Sequence, residues 1–197
     1  MLTTLPTLKS RLSIPAADPT NDALLTSAIK SLSARFDKET NRTLARTETA
    51  TFEFNPTDTE LAPPCYPIES ITKWETKTSE ATGWQEIIPA PAYLIRHSCI
   101  ISLYPPFSPQ PSAPSLSRVT YTGGYVLPGT DPAPGQAPLP DDLEQACVEQ
   151  VAYWFQNRDH LGLKTYWPSG AAYYQFAAFD LLDSVKNVLS HHTRILL

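Results

Sequence analysis

Glycine is scarce in this chain, with 7 in 197 residues against 20 prolines. Glycine loosens a backbone and proline locks its φ angle, so the connections read as stiff. Stiff connections are odd for an enzyme lid and natural for a scaffold part. Charged residues are also sparse at 18%, but hydrophobic content of 42% excludes bulk disorder. The three cysteines, Cys65, Cys99 and Cys147, are odd in number, far apart and in no Cys-x-x-Cys pair. Neither a disulfide framework nor a structural zinc site is expected from them. Basic residues are outnumbered, 15 to 20, giving a net charge of −5. A protein that grips nucleic acid normally shows a basic face, because neutralising phosphates releases counterions; here lysine and arginine are scattered, and the composition does not point to a grip on DNA. A leader peptide and a long apolar span are both missing, so a reducing cytoplasm or an assembled particle is expected, without a membrane.

Catalytic signatures are missing too. The chain holds no G-x-S-x-G elbow, H-E-x-x-H, Walker loop or dinucleotide fingerprint. Gly123-Gly124 lacks the lysine and helix start of a phosphate cradle, and reads as a sharp turn leaving a strand. His191 and His192 are adjacent, and neighbours on a helix point about 100° apart, so they suit a helix C-terminus better than a metal. Asp141, Asp142, Glu144 and Glu149 form an acidic group, but helix capping and a solvated face account for them. Trp74, Trp84, Trp154 and Trp167 read as core or interface rather than as a stacking platform. No catalytic, cofactor or metal residue is assigned.

What is present is a layout. The length suits one domain, 1–197, burying roughly 70% of its unfolded surface. Leu5, Leu8 and Leu12 mark a short helix that stops before Ile14-Pro15. Asp18-Pro19 reads as a cap and first helical residue, opening a helix over about 20–42 with Leu25, Ala28, Ile29, Leu32 and Phe36 on one stripe. From 47 to 125 the apolar period changes to two, which predicts antiparallel strands in a β insertion. They fall at Thr49–Phe54, Ile68–Trp74, Tyr93–Arg96, Cys99–Tyr104 and Leu116–Tyr121, with a hairpin turn at His97-Ser98. Residues 104–114 and the linker 126–140 each hold five prolines and favour extended polyproline backbone, either as rigid surface loops or as arms on a neighbouring subunit.

A helix over 141–158 follows, with Asp141 and Glu144 spaced as a capping box. Leu143, Ala146, Cys147, Val151, Trp154 and Phe155 form its apolar stripe, and Trp154 and Phe155 are expected to fill the helical core. After a turn at Trp167-Pro-Ser-Gly170, a last helix over 176–190 carries Phe179, Leu182, Val185 and Leu189. The fold class is α+β: packed helices around a β insertion.

Taken in order, several pieces resemble the head–tail connector (adaptor) family of tailed bacteriophages. They are the early helix ending in Thr40-Asn-Arg-Thr-Leu44, then Pro63-Pro-Cys-Tyr-Pro67 leading to Ile68-Glu-Ser-Ile-Thr-Lys-Trp74. The Tyr93 hairpin, Val119-Thr-Tyr-Thr-Gly-Gly-Tyr125, the Leu139-Pro140 helix ending in Tyr153-Trp-Phe-Gln-Asn-Arg158, and the Trp167 turn complete the set. The resemblance covers about Thr4 to Leu182. It implies a structural virion protein of the neck, made in the host cytoplasm. Such a protein forms a homo-oligomeric ring of twelve that binds the portal, extends the DNA channel without gripping the genomic DNA, and carries the next neck or tail protein. The alternatives are another neck or tail-completion protein, or a small hydrolase with an unrecognised site. By the same resemblance the tail 190–197 reaches toward the portal, with His191, His192, Arg194, Ile195, Leu196 and Leu197 as docking candidates. Folding back onto its own helices is the competing expectation for that tail.

Overall fold

In the computed structural model, residues 1–104, 115–158, 165–166, 174–175 and 180–194 are described. The chain is mixed α+β and divides into two compact units. One, helical, comprises Met1–Thr40 and Leu139–Thr193; the other, built of strands, comprises Asn41–Pro138 and Arg194–Leu197.

The helical unit contains α1 (Leu5–Arg11), α2 (Asp22–Thr40), α3 (Asp141–Gln156) and α4 (Asp183–His191). Thr4 caps α1, its hydroxyl accepting from Thr7 N at 3.3 Å. Lys9 is buried, and its Nζ is held by the carbonyls of Ala16 (3.2 Å) and Asp18 (2.7 Å) and by the Asp22 carboxylate (2.5 Å). A buried ammonium is tolerated only with such partners, and here they tie the α1–α2 connection to α1. Asp18 does not cap α2. Its Oδ1 accepts from Thr20 N at 3.0 Å and from the Thr20 hydroxyl at 2.5 Å, closing a turn of its own, so the helix starts at Asp22. Leu25, Ile29, Leu32 and Phe36 are fully buried, as their stripe requires.

The capping box on α3 is also not formed. Pro140 holds the cap position without a side-chain bond, and the Pro140 carbonyl takes the amides of Leu143 and Glu144. Asp141 is therefore inside the first turn, where the acids complement the helix dipole. Glu144 accepts instead from Thr3 Oγ1 at 3.0 Å. Cys147 is fully buried, and burial pushes its thiol up to about 12.

The last helix begins at Asp183, and residues 180–182, expected inside it, are not helical. Gln150, fully buried on α3, explains the late start. Its Oε1 accepts from Leu182 N at 2.7 Å and its Nε2 donates to Asp180 O at 3.4 Å. The backbone at 180–182 thus bonds to a side chain instead of forming a first turn of α4. Thr165–Tyr166 (β8) and Tyr174–Gln175 (β9) pair antiparallel. Phe176, Phe179, the Trp167 turn and residues 105–114 lie outside the described residues.

In the other unit, β1 (Thr47–Phe54), β3 (Ile68–Lys77), β4 (Gln85–Glu86) and β7 (Leu116–Gly123) form one antiparallel sheet in the order β1-β7-β3-β4. A second sheet has β2 (Glu60–Leu61), β6 (Ile100–Leu103) and β5 (Tyr93–Arg96) in the order β2-β6-β5. Both sheets feed one core of Phe54, Leu61, Cys65, Ile68, Trp74, Ile101, Leu103, Val119 and Tyr121. The Tyr121 hydroxyl accepts from Cys65 N at 3.1 Å, and the Cys65 thiol donates to Gly123 O at 3.1 Å. Gly123 packs so closely there that a Cβ would lie 2.5 Å from Cys65 O, and Gly124 turns at φ +96° against Ala45.

The hairpin at His97-Ser98 forms with φ of 50° and 54°, and Cys99 N bonds Arg96 O at 3.1 Å. Both central residues are left-handed, the geometry that matches strand twist, even though neither is glycine. Residues 126–138 depart from the extended polyproline backbone expected of a proline-rich run. Val126 N bonds Ala137 O at 2.8 Å and Ala133 N bonds Gln136 Oε1 at 3.0 Å, with Gly129 and Gly135 at φ 94° and 90°. Two left-handed glycines fold the segment back on itself. No helix among the described residues is long and apolar enough to cross a membrane.

Candidate assembly surfaces

The docking candidates divide between the two units. In the helical unit, His191 is the exposed last residue of α4. His192 Nε2 lies 2.8 Å from Asp142 Oδ2, joining the end of α4 to the first turn of α3. Burial pushes the Asp142 carboxyl up, but the bonds from His192 and from Leu143 N outweigh it and hold it below its ordinary value. In the strand unit, the Arg194 guanidinium lies 5.6 Å from the Phe52 ring centroid. It borders a cavity of about 20 Å³ with Ala62, Tyr66, Cys99 and Ile100. The buried Nε of Arg194 has no hydrogen-bond partner among the described residues. Ile195, Leu196 and Leu197 lie outside the described residues.

The acids of α3 are engaged one by one rather than gathered into a site. Asp142 meets His192, Glu144 meets Thr3, Glu149 accepts from Gln145 at 3.0 Å, and Asp141 is exposed. Among the described residues no cluster of three or more histidines, cysteines or acids is placed to hold a metal ion.

Trp154 and Phe155 do not fill the helical core. Both are half-buried and line an open apolar groove of about 410 Å³ between α2 and α3. Leu24, Ala28 and Ser31 form its other wall, and Arg158 stands at its rim. The groove was missed because periodicity places a side chain on a face and does not say how closely the facing helix approaches. The small residues Ser27, Ala28 and Ser31, spaced three and four apart on α2, were the available signal.

Three of the tryptophans are described. Trp74 is core, edge-on to Phe54 at 6.1 Å between ring centroids. Trp84 covers Arg118 (4.2 Å) and Lys77 (5.1 Å). Arg118 in turn bonds the buried Glu75 carboxylate at 2.7 and 3.0 Å, and Lys73 reaches it at 2.9 Å. Burial would raise Glu75, but these two cations hold it below its ordinary value. This outer layer on β3 and β7 is a packed polar network.

Among the described residues, the strand unit leaves two sheet edges of four residues or more, β1 and β5, and both are largely exposed. Leu94 on β5 is 71% exposed, with Ile88 just upstream at 84% and Tyr104 beyond β6 at 86%.

Comparison with known proteins gives these surfaces a context. The fold is similar to a chain in the neck of an empty GTA particle computed with C6 symmetry, with a TM-score of 0.60 at 15% identity. That match covers 98% of this chain and 89% of the other. A chain from the neck of the native GTA particle computed with C12 symmetry matches over the same shares, with a TM-score of 0.56 at 15% identity. A chain from the virion of the native gene transfer agent particle does so with a TM-score of 0.58 at 16%. No curated protein matches the chain. The sequence profile described as "Head completion protein" matches residues 2–166, and the chain belongs to the head completion protein family.

Proposed function

We propose that this chain is a structural protein of the neck of a tailed-phage-like particle, where twelve copies form a ring beneath the portal. The ring binds the portal, lengthens the DNA channel and carries the next neck or tail protein. Its place is the virion neck, reached from the host cytoplasm during assembly. The observation that carries this reading is the fit of 98% of the chain to neck chains of particles, one of them computed with C12 symmetry. Family membership over residues 2–166 supports it. The role is structural rather than catalytic.

Twelve copies at −5 apiece carry −60, so the channel wall lets DNA pass without holding it. Images of intact particles test the ring directly: twelve-fold density at the neck is expected, and its absence overturns the reading. Tight, salt-sensitive binding of duplex DNA by the purified protein would contradict the channel role.

The segment 190–197 is the portal-docking element in this reading. Three successive apolar residues at 195–197 follow Arg194, and each contributes about 1.5–3 kcal/mol if buried in a groove. Removing residues 195–197 is expected to leave the melting temperature unchanged and to abolish attachment to filled heads. Normal attachment of the shortened protein rules out docking by this segment.

A further inference from the structure

A closed head-to-tail ring needs two different, complementary surfaces on every copy. The strand unit supplies a pair with the right properties. Of its four sheet edges, β2 and β4 are two residues long, whereas β1 has eight residues and β5 has four. β1 and β5 border different sheets, so they are separate surfaces of one copy. Among the described residues, no strand pairs with the outer side of either.

Soluble proteins protect open edges with lysine, proline or bulges that twist the strand away. β1 reads Thr-Glu-Thr-Ala-Thr-Phe-Glu-Phe, with neither lysine nor proline. Its one irregularity falls between Thr47 and Ala50, and the register from Ala50 to Phe54 is regular. β5 reads Tyr-Leu-Ile-Arg and exposes Leu94 on the face opposite its core-facing Ile95. The two edges also differ in charge. β1 carries the exposed acids Glu48, paired with Arg46 at 3.0 Å, and Glu53, which has no ion-pair partner among the described residues. β5 carries Arg96, paired with Glu60 yet half-exposed, and runs into the exposed His97. One edge is acidic and hydroxyl-rich, the other apolar and basic.

We propose that β5 of one copy adds to β1 of its neighbour, so that sheet pairing passes from subunit to subunit around the ring. The occupant of each edge is a second copy of this chain. This rests on the ring reading above and names the strands that close it. Pairing satisfies the open backbone of both edges, covers Leu94 and sets the basic edge against the acidic one.

Charge placed at Leu94 tests the pairing, because that side chain is exposed and its replacement leaves the fold intact. Full-length Leu94→Asp, Leu94→Lys, Glu53→Lys and the Leu94→Asp/Glu53→Lys double variant are compared with the parent. Ring formation on filled heads is scored against protein concentration, and thermal melting confirms folding. Leu94→Asp sets a third acid against β1 and is expected to raise the concentration for half-assembly about tenfold or more. Leu94→Lys stays within about threefold of the parent, and Glu53→Lys restores assembly to Leu94→Asp. Amide exchange across Ala50–Glu53 slows on assembly.

Rings from Leu94→Asp at the parental concentration, or equal losses from Asp and Lys, overturn the pairing. So does an assembly that stops at dimers, which indicates like edges meeting. If the parent forms no ring at the neck, the ring reading itself fails. Parental rings that are indifferent to every Leu94 variant sink the strand pairing alone.

Discussion

The two units leave different kinds of surface open. The helical unit buries the stripes of α2 and α3 and adds long-range polar anchors: Lys9 gathers the α1–α2 connection, and Gln150 fixes the entry to α4. It leaves a groove where Trp154 and Phe155 stand half-buried. The strand unit has a single core fed by both sheets, in which Trp74, Val119 and Tyr121 are buried, and it leaves two open sheet edges among the described residues. The difference lies in where each unit carries unspent binding capacity. A groove accepts side chains, whereas an edge accepts backbone, so the two units suit two kinds of partner in an assembly.

Two tryptophans give the sharpest test of that contrast. Trp74 is 3% exposed and packs edge-on against Phe54. Truncation to alanine leaves a cavity in a closed core and is expected to cost about 3–5 kcal/mol. Trp154 already faces an open groove, so Trp154→Ala removes less buried area and relaxes into existing space, costing about 1–2 kcal/mol. Chemical denaturation of both variants measures the gap. Equal losses would mean that the groove is filled in solution and that the two units pack alike.

Gln150 probes the next level. Replacing it with leucine keeps an apolar volume but strands the Leu182 amide and the Asp180 carbonyl, at about 1–3 kcal/mol. Exchange of the Leu182 amide should accelerate along with the loss of stability. A Gln150→Leu protein with parental stability and a protected Leu182 amide would show that the start of α4 is set by packing instead.

How much of this was legible in the sequence follows from the range of the forces involved. The stripe Leu25, Ile29, Leu32 and Phe36 and the alternation of Thr49–Phe54 are local patterns, and both elements formed where the pattern placed them. Boundaries went wrong where a distant side chain settled them. Glu144 turned to Thr3 and Gln150 reached the backbone at 180–182, contacts that no window of neighbouring residues contains, whereas Asp18 lost its cap to a local turn with Thr20. The residues 126–138 misled in another way. Proline count argued for extended polyproline backbone, but the two glycines at positive φ decided the path. For the docking candidates, the sequence grouped His192 and Arg194 in one tail, yet Asp142 and Phe52 engage them in different units. The open edges β1 and β5 depend on strand order, which becomes readable only once the sheets are assembled.

The smallest expected effect concerns His192 and Asp142, the contact that closes the end of α4 onto α3. The Asp142 carboxyl is held below its ordinary value of 3.8, against the upward push of burial, by His192 and by Leu143 N. A depressed carboxyl stabilises the fold above its unfolded value, and that contribution is lost as pH falls through the folded value. The relevant window therefore lies below about pH 4, not near neutrality. Asp142 is 53% exposed, so solvent screening holds the contribution under about 1 kcal/mol. His192→Ala should move the Asp142 titration, followed by carboxyl chemical shift, upward toward 3.8. The Leu143 bond remains, so the shift stays partial. The same variant should melt within a degree or two of the parent at pH 7, since one exposed pair cannot hold a helix that Val185 and Leu189 already bury. An Asp142 titration unmoved by His192→Ala would remove the pair from the list of anchors, and leave apolar packing and Gln150 to hold α4 in the helical unit.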